Sequence, residues 1–107
     1  MKERQILYNV TIKVIKEIEH DWLDWMKNIH IPEVMATKCF HNSRIGKLLF
    51  LDEEDGVTYT TQYLCENMDT FNKYNELYAR SLQEKHQERY LEKYVAFRSL
   101  MEIQQTY

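Results

Sequence analysis

Five polar side chains carry the binding chemistry this sequence offers: Asn9, Thr11, His30, Gln62 and Arg98. His30 opens the run His30-Ile-Pro-Glu33. Its ordinary pKa lies near neutrality, which suits a proton shuttle or a ligand donor at the mouth of a cavity. Equally, His30 or Glu33 can satisfy backbone groups freed where a proline interrupts a helix. Arg98 offers a planar guanidinium that grips a carboxylate or phosphate through two parallel hydrogen bonds. Its other use is a structural ion pair, with Glu102 or with a partner subunit. Asn9, Thr11 and Gln62, together with Thr60, orient a ligand or line an interface bridged by water.

Stronger catalytic signatures are missing from the sequence. Cys39 and Cys65 form no Cys-x-x-Cys and no zinc-spaced set with histidine, so they read as small buried hydrophobes. His20, His30, His41 and His86 lack metal-ligand spacing. No metal and no cofactor is expected. There is no glycine-rich phosphate loop and no Gly-x-Ser-x-Gly elbow, and no nucleophile and base pair stands out. Whether the protein is an enzyme is left open on these grounds.

The 107 residues suit a single domain over 1–107, large enough to bury a core without disulfides. A net charge of -3 argues against a nucleic-acid footprint, which needs a basic face. Aromatic stacking of single strands would also need aromatics on an open sheet. No apolar run approaches the ~18 residues of a membrane span. The opening Met1-Lys-Glu-Arg-Gln5 lacks the apolar stretch of a signal peptide, so a cytoplasmic location is expected.

The elements that must position these side chains follow from periodicity. Ile6 to Ile15 alternates with period two, placing Tyr8, Val10, Ile12 and Val14 on one face. Ile18, Trp22, Trp25 or Met26, and Ile29 recur at helical spacing, with Pro32 predicted to end the helix and a short turn over 33–36. Cys39 to Leu51 reads as a long strand with a bulge near Gly46. The acidic turn 52–56 joins it to a strand over Val57 to Cys65. Asn67 or Asp69 caps a second helix with Phe71, Tyr74, Tyr78, Leu82 and His86 on one face. It fades near Tyr90, before a last strand from Tyr94 to Ile103. Trp22, Trp25, Tyr74 and Tyr78 read as core and its margin.

The order β-α-β-β-α-β is the α+β, ferredoxin-like arrangement: a four-stranded antiparallel sheet with two helices on one face. The alternation predicts an uncovered sheet face carrying Leu7, Asn9, Thr11, Thr58, Thr60, Gln62, Leu64, Ala96, Arg98 and Leu100. A half-polar face of this kind binds a flat ligand or pairs with a second copy. The face on which His41 and Arg44 fall is not settled by the pattern.

The stretches Tyr8-Asn-Val-Thr11, Trp22-Leu-Asp-Trp-Met26, His30-Ile-Pro-Glu-Val34, Gly56-Val-Thr-Tyr59, Gln62-Tyr63 and Val95-Ala-Phe-Arg98 resemble a family of short bacterial proteins known only as a domain of unknown function. That family lies within the dimeric α+β barrel superfamily. The resemblance implies a homodimer in which two sheets pack face to face, often around a small ligand. The superfamily's varied chemistry does not carry over, since fold does not set function.

The expected protein is thus a cytoplasmic homodimer: a small-ligand-binding or structural module with a partly polar cavity at the dimer interface. One alternative is a cofactor-independent oxygenase or isomerase of a small hydrophobic metabolite, which needs an enclosed cavity of ~300 Å³ containing His30 or Arg98. A second is a protein-interaction subunit, marked by an exposed apolar patch away from the dimer face.

Overall fold

The computed structural model describes residues 3–107; Met1 and Lys2, part of the segment read against a signal peptide, lie outside them. Strand β1 (Ile6–Val14) buries Ile6, Tyr8, Ile12 and Val14 on one face, as its alternation requires. It pairs antiparallel with β3 (Val57–Cys65) on one side and β4 (Tyr94–Glu102) on the other, while β2 (Asn42–Lys47) pairs with β3. The sheet order is β2-β3-β1-β4, with both helical crossovers on one face. Tyr8, Phe40, Tyr63, Phe71 and Tyr74 form one half of the core. Ile12, Val14, Trp22, Trp25, Met26, Val57, Tyr59 and Tyr90 form the other. Burying a large apolar side chain contributes roughly 1.5–3 kcal/mol, so these two clusters hold the helices to the sheet.

Pro32 does not end the first helix. A short 3₁₀ turn (Lys16–Ile18) leads into α1 (Glu19–Trp25), a π turn (Met26–His30) and α2 (Ile31–Ala36). The Ile31 N–H donates to the Met26 carbonyl, five residues back. In an unbroken α-helix the Pro32 ring would clash with the carbonyl four residues earlier, and the wider turn precedes that site. The extra residue also rotates the helix phase by ~100°. Trp22, Met26 and Val34 are therefore buried, with half-buried His30 between the last two completing the four-residue steps, while Ile29, expected inside, is 48% exposed.

The second arm starts where predicted. Asn67 adopts extended backbone and its side chain accepts from the Thr70 N–H at 2.8 Å. The arm comprises α3 (Met68–Tyr74), a second π turn (Asn75–Ala79) and α4 (Arg80–Arg89), with Phe71, Tyr74, Leu82 and His86 buried.

Three further expectations are corrected. Strand β2 covers only Asn42–Lys47, and its pairing with β3 runs without a bulge through Gly46. The β2–β3 connection is longer than the predicted turn: Leu48 donates once more to the Thr58 carbonyl, and Leu49, Phe50 and Leu51 then lie exposed before the acidic run. The third concerns β4. Arg98 is opposite Val10 and Phe97 is opposite Thr11. Directly paired residues share a face. Ala96, Arg98 and Leu100 therefore lie on the helix side, while Val95, Phe97, Ser99 and Met101 lie on the open face. This is the reverse of the phase read from hydrophobicity. Arg44, opposite Gln62, lies on the open face.

Candidate functional site

The sheet separates the five predicted binding residues. Asn9, Thr11 and Gln62 lie on the open face, and His30 and Arg98 on the helix side. The single site expected at a dimer interface is two surfaces, back to back.

On the open face the polar groups largely satisfy one another. Arg44 Nε donates to Gln62 Oε1 at 2.7 Å, and Thr11 Oγ1 donates to Thr60 Oγ1 at 3.1 Å. Around them stand Phe97, Val95 and Met101, exposed large apolar side chains on β4. The open face is thus part polar and part apolar.

On the helix side His30 and Arg98 border one cavity of about 30 Å³ between the sheet and the helical arms. It has room for a water molecule or two. Tyr8 and Val10 from β1, Tyr63 from β3, and Tyr74, Gln83 and His86 from the second arm also line it. The π turn delivers His30, its last residue, to this place. Without the extra residue the helix would present Ile29 at this level.

Two imidazoles meet here, with ring centroids 5.9 Å apart. Trp22 Nε1 donates to His86 Nε2 at 2.9 Å. An indole N–H only donates, so Nε2 must keep its lone pair and the His86 proton resides on Nδ1. Burial, then the neighbouring His30 and the Arg98 guanidinium, push the His86 pKa down to about 4. His30 is also lowered to about 4, chiefly by burial, with Glu33 opposing and Arg98 and Lys85 assisting. Both rings are neutral at pH 7. His30 stacks on Trp25 at 5.0 Å, and its buried Nδ1 has no hydrogen-bond partner among the described residues. It does not serve the broken helix, and neither does Glu33, whose carboxylate accepts from Lys85 Nζ at 2.8 Å.

Burial also raises the Tyr8, Tyr63 and Tyr74 hydroxyls, so all three are neutral donors. At Tyr8 the Arg98 guanidinium and Gln83 oppose the rise. Arg98 is thus the single fixed charge in the lining, and no carboxylate joins it there. Glu102, its proposed partner, approaches Arg4 at 3.8 Å instead. Among the described residues Arg98 forms no ion pair. Sequence reasoning missed Tyr8, Gln83 and His86. His86 was legible as a helix-face residue, but nothing in the spacing aimed it at His30.

Among the described residues no group of three His, Cys, Asp or Glu side chains is placed to hold a metal ion. No helix there is long and apolar enough to cross a membrane.

A four-stranded antiparallel sheet with both helical arms on one face defines a ferredoxin-like protein. The chain belongs to the family described as Domain of unknown function (DUF4286), whose model matches residues 5–104. No curated protein matches it. Among solved structures it is similar to a dimeric ferredoxin-like protein from an uncultured marine organism, with a TM-score of 0.70, 11% identity, and coverage of 98% of this chain and 100% of that one. A monooxygenase from Streptomyces coelicolor in complex with nanaomycin D gives 0.67 and 11%, covering 97% and 91%. A cofactor-independent oxygenase from Streptomyces nogalater gives 0.62 and 11%, covering 95% of each chain. At such identity the likeness is one of fold.

Proposed function

We propose that the protein is a cytoplasmic, homodimeric module that binds a small anionic ligand, with one site per subunit between sheet and helices. The carrying observation is the cavity lining: one guanidinium without a carboxylate, beside an unpartnered imidazole nitrogen and neutral tyrosine hydroxyls. An exposed guanidinium at the border of a buried cavity favours an anion at its mouth, and the hydroxyls and the His30 ring complete the anion's hydrogen bonds. The cavity of about 30 Å³ takes only an anionic head such as a carboxylate. The rest of the ligand lies along the exposed β4 flank, over Ala96 and Leu100. The open face, with Phe97 67% exposed opposite Thr11 and Met101 exposed opposite Leu7, is the dimer surface. Two buried free thiols fit a reducing compartment.

A cofactor-independent oxygenase or isomerase is the second reading. The observation favouring it is the unpartnered His30 Nδ1, placed to accept a proton. The enclosed volume falls about tenfold below the ~300 Å³ that a whole metabolite requires, which ranks binding above catalysis.

The test is native mass spectrometry of tag-free protein, followed by titration with benzoate and octanoate monitored by tryptophan fluorescence. The expected result is a dimer that binds a carboxylate, with Arg98→Ala weakening binding more than about tenfold. Unfolding stability should change by less than ~0.5 kcal/mol, because Arg98 is exposed and forms no ion pair among the described residues. An Arg98→Ala protein that binds carboxylates as the parent does would refute the assignment.

A further inference from the structure

The proposed site is open on one side. The helices cover β1 and β3, but Ala96, Arg98 and Leu100 remain exposed although they face the helix side. Among the described residues the second arm meets β4 through His86 against Tyr94, at 4.4 Å between ring centroids, and through Gln83, which lines the cavity with Arg98; Ala96 and Leu100 are left uncovered.

Elsewhere the chain exposes an apolar run with no partner of its own. Leu49 is 69% exposed, Phe50 is fully exposed, and Leu48 and Leu51 adjoin them. Four consecutive apolar residues in water are unfavourable unless something covers them. Phe50 also holds a left-handed backbone, φ 63°, uncommon for a bulky side chain. The run leaves the sheet from β2, and β2 and β4 are opposite edges. They lie ~14 Å apart across three inter-strand steps, so the loop cannot cover its own β4. When two sheets pack face to face about a two-fold axis along the strands, the β2 edge of one meets the β4 edge of the other. Leu48 pairs with Thr58, in the same row of the open face as Lys13 and Val95, so the loop continues the proposed dimer surface.

Charge agrees with this partner. The acidic run Asp52-Glu-Glu-Asp55 follows the loop at the end of the sheet where β4 begins beside Lys93 and opposite Lys13, two lysines that form no ion pair among the described residues, and this leaves Arg98 to the ligand. Glu53 is engaged by its own Lys47, while Asp52, Glu54 and Asp55 form no ion pair among the described residues.

We infer that in the homodimer the Leu48–Leu51 loop of one subunit closes the β4 flank of the other subunit's cavity. Each site is then completed by the partner chain, which supplies an apolar wall for the ligand's tail. This rests on the homodimeric binding reading above.

Paired cysteine substitution tests the contact. Phe50→Cys with Ala96→Cys should give a covalent dimer under mild oxidation, reversed by dithiothreitol. Phe50→Cys with Leu77→Cys, on the helical arm, should not. Separately, Leu49→Ser with Phe50→Ser should weaken octanoate binding more than about tenfold while benzoate, which has no long tail, is weakened less. A dimer by sedimentation that never cross-links through Phe50→Cys and Ala96→Cys would overturn the loop contact and leave the dimer intact. Equal cross-linking of both cysteine pairs would overturn it too, as random collision. A monomer by sedimentation would overturn the homodimer itself, and the apolar loop would then belong to a different protein partner.

Discussion

Acidification should destabilise the protein well above the carboxylate range, and His30 should account for a measurable share. In the unfolded chain its pKa is about 6.5, and in the fold it is about 4. Protonation therefore favours the unfolded state. Stability is fully present above pH ~6.5 and is lost progressively as the pH falls toward 4. At pH 5 the unfolded imidazole is about 97% protonated and the buried one about 10%, which amounts to about 2 kcal/mol lost relative to pH 7.5. His86, lowered by a similar burial, adds a comparable loss. The assay is urea unfolding of the parent and His30→Gln at pH 7.5 and pH 5, at one fixed protein concentration because dimerisation shifts apparent stability. Glutamine does not titrate there, so the carboxylates cancel in the comparison, and His86, relieved of the His30 charge, loses no more in the variant than in the parent. The parent should lose about 2 kcal/mol more than the variant, or ~1 M in urea midpoint for a slope of about 2 kcal/mol/M. Equal losses in the two proteins would refute the view that His30 is buried in its neutral form.

Trp22→Phe removes the N–H that donates to His86 Nε2 and leaves that nitrogen without its donor, so unfolding stability should fall by about 2–4 kcal/mol. Nuclear magnetic resonance titration should show the His86 pKa rising, because the neutral ring has lost its hydrogen bond. Gly56 has φ 153°, and an added Cβ would sit 2.5 Å from the Val14 carbonyl oxygen, so Gly56→Ala should cost at least about 2 kcal/mol and ~10 °C in Tm by calorimetry. Phe97→Glu places a charge at the centre of the proposed dimer face without touching the core, so sedimentation should show a folded monomer; a persistent dimer would move the interface elsewhere.

The sequence was legible wherever a local period met a single covered face. In β1 and β3 the alternation of Tyr8, Val10 and Ile12 and of Tyr59, Thr61 and Tyr63 identifies the helix-facing side, because the open side is polar. In β2 the apolar run to Leu51 suggested a strand, yet pairing ends soon after Lys47, since the residues beyond Leu48 find no neighbour to bond. The His30 position escaped detection because a single inserted residue, hydrogen-bonded five residues back at Met26, shifts the helix phase without altering composition.

Taken alone, the sequence determined the element order, the ferredoxin-like topology, the Asn67 cap and the membership of most of the core, because these follow from short-range periodicity and turn chemistry. Only the tertiary structure decided which face of β4 turns toward the helices. Alternation groups Arg98 with Ala96 and Leu100, and Phe97 with Val95 and Met101, but assigns neither set a side. Apolar content misleads at this edge strand, whose open face bears the more hydrophobic set. The register against β1, with Val10 opposite Arg98, settles the choice. It thereby brings Arg98 to His30 and His86 and leaves Asn9, Thr11 and Gln62 on the other side of the sheet.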